Sequence, residues 1–88
     1  MGKAKHHLPH IEDEAPWSDR LTEYDRAHLE LYVRLLDAIA AHADQEAIAL
    51  ELFGIDAAKE PHRAERVIES HLTRARWMTQ YGFRDLLR

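Results

Sequence analysis

Three stretches of helically spaced apolar residues, punctuated by a glycine and a proline where helices stop and start, confine this chain to an all-α fold. In the first stretch Tyr24, His28, Leu31, Leu35 and Ile39 recur three or four positions apart, and Tyr32 and Leu36 widen the stripe. Thr22 can cap this helix through its hydroxyl, and Glu23 and Asp25 suit the positive end of its dipole, so a helix from about Glu23 to Ala41 is expected. Arg26, Glu30, Arg34 and Asp37 form a charged ladder on the opposite side, which reads as a solvated face. Leu29 and Val33 lie on a flank, so nearly two sides are apolar. Such a helix is either central in a bundle or covered by a partner.

The second helix is short, Gln45 to Phe53, with Asp44 as its N-cap and Ile48 and Leu52 facing inward. Gly54 supplies a left-handed stop, after which Ile55 can fold back on Leu50. The stretch Gly54 to Glu60 reads as too polar for core and too long for the tight turn of a simple helix-turn-helix. Pro61 then opens a third helix at its first position, a helix expected to reach Tyr81 and to end at Gly82.

On this third helix Ala64, Val67, Ile68, His71, Leu72, Ala75 and Met78 cluster on one side at 100° per residue. His71 reads as a neutral core group bonded to a backbone carbonyl. The other side carries Arg63, Arg66, Ser70, Thr73, Arg74, Trp77 and Tyr81, with Arg76 toward a flank. Two accounts of the outward aromatics stay open. Either Phe83, Leu86 and Leu87, or Trp17 and Leu21, fold over Trp77, or Trp77 and Tyr81 anchor a protein interface, where Trp, Tyr and Arg are enriched.

Composition narrows the function classes. A chain of 88 residues is one domain, and 45% hydrophobic with 32% charged residues is ordinary globular usage. The absence of cysteine excludes disulfides and thiolate chemistry. No stretch approaches a membrane span, and Met1 to His10 lacks the apolar run of a signal peptide, so a cytoplasmic location is expected. Gly2 does not open a myristoylation motif, because His6 stands where that motif needs Ser or Thr. Residues 1–16, with Gly2, Pro9, Pro16 and the run Glu12, Asp13, Glu14, read as a disordered arm before a helix-turn-helix-like domain over 17–88. His6, His7 and His10 have ligand character but no supporting carboxylate or thiolate arrangement, so neither metal nor cofactor is expected. No nucleophile, base and orienter occur at useful spacing, and Ser18 and Ser70 read as surface or hydrogen-bonding residues; no enzyme is expected.

Three separated blocks then carry a resemblance: Trp17-Ser18-Asp19-Arg20-Leu21-Thr22-Glu23-Tyr24-Asp25-Arg26, Leu52-Phe53-Gly54-Ile55-Asp56, and Ser70-His71-Leu72-Thr73-Arg74-Ala75-Arg76-Trp77-Met78. In that order, over about Pro16 to Leu87, the chain resembles the extended-turn helix-turn-helix family of proteobacterial mobile elements. The resemblance implies a three-helix helix-turn-helix variant with an extended turn over 54–60 and a long third helix. It also implies relatives of two kinds, activators of conjugative transfer and short antiactivators. In the activators it implies a basic face for DNA and a second, amino-terminal domain packed on another face.

This chain departs from both features. Between Asp44 and Tyr81 the acids are Asp44, Glu46, Glu51, Asp56, Glu60, Glu65 and Glu69, and the bases are Lys59, Arg63, Arg66, Arg74 and Arg76. Seven against five leaves an excess of two negative charges. Duplex affinity comes from neutralising phosphates, so weak or no nucleic-acid binding is expected. Only the polar residues 1–16 precede the fold, which leaves no room for an amino-terminal domain. The expected function is therefore antiactivation, in which the chain mimics the activator's helix-turn-helix and captures its amino-terminal domain. Partner-binding residues are expected at Trp17, Tyr24, Arg63, Arg66, Arg74, Trp77 and Tyr81. The alternative is a small DNA-binding repressor using Arg63, Arg66, Ser70 and Arg74 on phosphates and base edges. Oligomeric state is open in either case.

Overall fold

A computed structural model describes residues 10–87. The expectations placed on Gly2, His6 and His7 lie outside the described residues. Among the described residues five α-helices follow one another: α1 (Glu23–Ala27), α2 (Leu29–Ala40), α3 (Gln45–Phe53), α4 (Pro61–Trp77) and α5 (Phe83–Leu86), with a π-helical turn (Met78–Gly82) joining the last two. The helix-turn-helix of α2, α3 and α4, with its extended turn, has the expected all-α order.

The first helix is broken where one continuous helix was expected. Thr22 closes the predicted cap: its Oγ1 accepts from the Asp25 amide at 3.1 Å while Asp25 Oδ2 accepts from the Thr22 amide at 2.9 Å. At His28, however, φ is −118° and ψ is 25°. The His28 ring places Nδ1 at 2.7 Å from the Tyr24 carbonyl and Nε2 at 2.9 Å from the His10 carbonyl. A side chain that competes for the carbonyl of the preceding turn bends the chain there.

The turn from α2 to α3 is short because His42 takes the left-handed conformation, φ 61°, that usually falls to Gly or Asn. Asp44 occupies the N-cap position of α3, as expected, but its side chain makes no capping bond. Gly54, φ 68°, ends α3, with its amide on the Leu50 carbonyl at 3.0 Å. Leu50 is 61% exposed, whereas Ile55 enters the core together with Leu35, Ile48, Ala49, Ala64, Val67 and Ile68. The extended turn is thus not wholly polar. It sends Ile55 and Ala57 inward, and Asp56 Oδ1 closes it by accepting from the Ala58 amide at 2.9 Å.

A second apolar cluster, Tyr32, Ala75 and Met78, with Leu21, Leu29, Leu36 and Trp77 against it, extends the core past the end of α4. Gly82 does not terminate the helix. It is buried, and a side chain there would collide with the Trp77 ring and come within 2.8 Å of Met78 Sδ. The glycine therefore clears space for the indole. The resulting one-residue-wider turn carries the chain directly into α5, where Phe83 and Leu86 stay partly exposed and the following Leu87 is largely exposed. Among the described residues, no helix is long and apolar enough to cross a membrane.

Candidate nucleic-acid interface on the outer face of helix four

The outer face of α4 is already partly occupied. Residues 10–16, read from sequence as part of a disordered arm, lie against it. The Ala15 amide donates to Ser70 Oγ at 2.6 Å, the Glu12 amide donates to Tyr24 Oη at 3.0 Å, and the Ala15 side chain is buried. Asp13 sits over the start of the helix. Its Oδ1 is 3.1 Å from Arg63 Nε and its Oδ2 is 3.7 Å from Arg66 Nη2, so two arginines one turn apart converge on one carboxylate. Arg63 Nη1 also reaches Glu60 at 3.3 Å. Both arginine side chains are about half exposed, at 41% and 51%.

Arg74 goes the other way. It was expected on the outer face with Arg63 and Arg66, but its side chain is 6% exposed and points inward. The guanidinium donates from Nε to Asp25 Oδ1 at 3.0 Å and from Nη2 to Asp25 Oδ2 at 2.6 Å. It also donates from Nη1 to the Ser18 carbonyl at 2.6 Å and from Nη2 to the Arg20 carbonyl at 2.9 Å, and its plane stacks 3.9 Å from the Trp77 ring. Tyr32 Oη donates a further bond to Asp25 Oδ1 at 2.7 Å. Burial alone would raise the Asp25 carboxyl, but the Arg74 guanidinium, the Thr22 amide and the two hydroxyls outweigh it and hold the group below its ordinary range. The signal for this was present: Arg74 stands seven positions after Val67, three after His71 and four before Met78, which is core spacing.

On the flank, His71 is the buried neutral group expected. Its Nδ1 donates to the Val67 carbonyl at 2.9 Å, which leaves Nε2 to accept from Tyr24 Oη at 2.6 Å. Burial lowers its tendency to protonate. The Tyr24 hydroxyl is thereby engaged internally.

Between residues 14–19 and α4 lies a groove of about 800 Å³, whose lining includes Trp17, Glu65, Arg66, Glu69, Thr73 and Trp77. Trp17 is 88% exposed on one wall, and Trp77 is half-buried beneath Arg74 on the other. Of the expected partner-binding residues, the groove brings together Trp17, Arg66, Arg74 and Trp77. Arg63 adjoins it through Asp13, whereas Tyr24 and the 61% exposed Tyr81 do not line it. Sequence reasoning missed the part taken by Asp13, Glu14 and Asp19, because a polar stretch has no periodicity to show which side chains it will meet.

The family model described as T6SS, transcription factor, DNA binding domain (the RovC DNA-binding domain) matches residues 3–88, nearly the whole chain. No curated protein matches it.

Proposed function

Because the chain belongs to the RovC DNA-binding domain family of T6SS transcription factors, we propose that it is a DNA-binding transcriptional regulator that meets duplex DNA at the start of α4. The observation that carries this reading is the convergence of Arg63 and Arg66 on the single carboxylate of Asp13. Two guanidinium groups arranged around one anion suit a backbone phosphate as well as a carboxylate. Of the four residues the sequence offered for DNA, Arg74 is committed to Asp25 and Ser70 to the Ala15 amide, so Arg63 and Arg66 carry the contact.

The charge balance makes that contact weak and salt-labile. With Arg74 buried, four bases on the helix-turn-helix face seven acids. Anisotropy titration of a labelled duplex at several salt concentrations tests the reading. Saturable binding is expected at low salt, and Arg63→Ala and Arg66→Ala should each flatten the log–log salt slope by about one. No saturable binding at low salt by the wild-type chain or by Asp13→Asn would overturn it.

A second reading, antiactivation, is favoured by one observation: Glu65 and Glu69 stand on the outer face of α4 beside two tryptophans, where a DNA-reading helix would carry bases. In this reading the chain resembles the short antiactivators of mobile elements and captures the amino-terminal domain of a transcriptional activator. A pull-down against the intact activator and its isolated amino-terminal domain, with duplex DNA as a control, distinguishes the two. Trp17 is the informative position, since it is exposed and its loss leaves the core intact.

A further inference from the structure

We propose that the groove between residues 14–19 and α4 is a docking site for a basic amphipathic helical segment of another protein, which places a large apolar side chain between Trp17 and Trp77. This deepens the protein-directed reading by naming the site and its partner's chemistry.

An indole costs free energy to leave in water, and Trp17 leaves nearly all of its surface there. It stands across the groove from Trp77, so the two large apolar walls face one space. The volume, about 800 Å³, is ample for several side chains. The rim is acidic. Glu14 and Asp19 lie on the arm side, and Glu65 and Glu69, one turn apart, lie on the helix side. The two arginines that line the same groove do not offset them, because Arg66 is paired with Asp13 and Arg74 with Asp25.

This combination selects among occupants. Duplex DNA is excluded from the groove itself, since four acids with no ion-pair partner among the described residues would face its phosphates. A second copy of the chain is disfavoured, because a protein of net charge −4 would bring further negative charge to an acidic rim. A helix with Lys or Arg on its edges and a Leu, Met or Phe in its centre satisfies both the rim and the walls, the arrangement of helix-in-groove recognition. Helix α4 presents about 25 Å of length along the groove, enough to accompany four or so turns of a partner.

The two tryptophans are the only ones in the chain, so intrinsic fluorescence reports on the groove directly. The full chain would be titrated at moderate salt with a short amphipathic helical peptide of leucine and lysine. Three comparison probes are the same peptide with glutamate for lysine, the same peptide with serine for leucine, and a duplex DNA of random sequence. Saturable one-to-one binding with a blue shift is expected for the leucine-lysine peptide alone. Trp17→Ala, and separately Glu65→Lys combined with Glu69→Lys, should each weaken it at least about tenfold, with circular dichroism unchanged. Any of four results would overturn the proposal: affinity unaffected by either variant, equal binding of the serine peptide, a tryptophan response to DNA that competes with the peptide, or self-association that alone buries Trp17. Loss of activator capture in the pull-down with peptide binding intact would instead count against the antiactivation reading and leave the groove assignment standing.

Discussion

The Arg74 guanidinium lies in a two-point ion pair with the Asp25 carboxylate, 2.6 Å and 3.0 Å apart, with both side chains buried. This pair ties α4 to α1 and, through the Ser18 and Arg20 carbonyls, holds the segment that forms the groove's second wall. Removing one partner leaves a buried charge and several unmet hydrogen bonds. Arg74→Ala should therefore cost about 3–5 kcal/mol in urea unfolding followed by far-ultraviolet circular dichroism. Arg63→Ala, at a half-exposed surface pair, should cost less than about 1 kcal/mol. Similar losses from both would mean that Arg74 is not the inward anchor described.

Two buried groups set two acid limbs of stability. His71 is held neutral when folded, whereas in the unfolded chain it protonates near its ordinary value of about 6.5, so the unfolded state binds more protons and stability falls as pH drops below that value. Asp25 is the depressed-carboxyl case. Its contribution is complete above the ordinary carboxylate range of about 4 and is lost as pH falls through its lower folded value. Urea midpoints measured from pH 8 downward should decline in these two windows. His71→Gln should reduce the first decline and leave the second; an unchanged first limb would remove His71 as its cause.

Periodicity made the three core stripes legible, since Leu35, Ile48, Val67 and Ile68 are placed inward by spacing alone and are buried in the fold. Gly54 and Pro61 marked their helix boundaries because each acts through its own backbone. What stayed hidden depends on pairs far apart in sequence. Arg74 and Asp25 are separated by 49 positions, so although core spacing can place Arg74 inward, no local rule names the buried carboxylate that it meets. Asp13 over Arg63, 50 positions away, is of the same kind. The break at His28 was hidden for a related reason, since it coincides with a ring bonded to the His10 carbonyl, a contact outside the helix. Gly82 suggests a stop in the sequence because helix-ending glycines are common, whereas its role is set by the Trp77 ring lying against it.

Gly82→Ala tests that role. A methyl group would overlap the indole ring and press on Met78, so the ring or the π-helical turn must shift. Overpacking of this kind costs about 1–3 kcal/mol, and the tryptophan emission should change with it. Because φ at Gly82 is −68°, backbone strain contributes nothing to the loss. A neutral effect on stability would show that Trp77 is free to move, which would also weaken its assignment as a wall of the groove.

Asp13 separates the two proposed uses of the α4 face. Its carboxylate occupies the anion position between Arg63 and Arg66, and the same residue holds the arm near the groove. Neutralising it by Asp13→Asn frees both guanidinium groups for phosphate and removes a negative charge from the approach. Duplex affinity at low salt should rise about three- to tenfold, the range of one favourable charge contact, and the gain should vanish in the Arg63→Ala background. Thermal stability should change little, because the pair is half exposed. If affinity is unchanged by Asp13→Asn while Arg63→Ala lowers it, the arginines reach DNA without displacing the arm. If both leave it unchanged, the start of α4 does not touch DNA, and the chain's regulation runs through the groove.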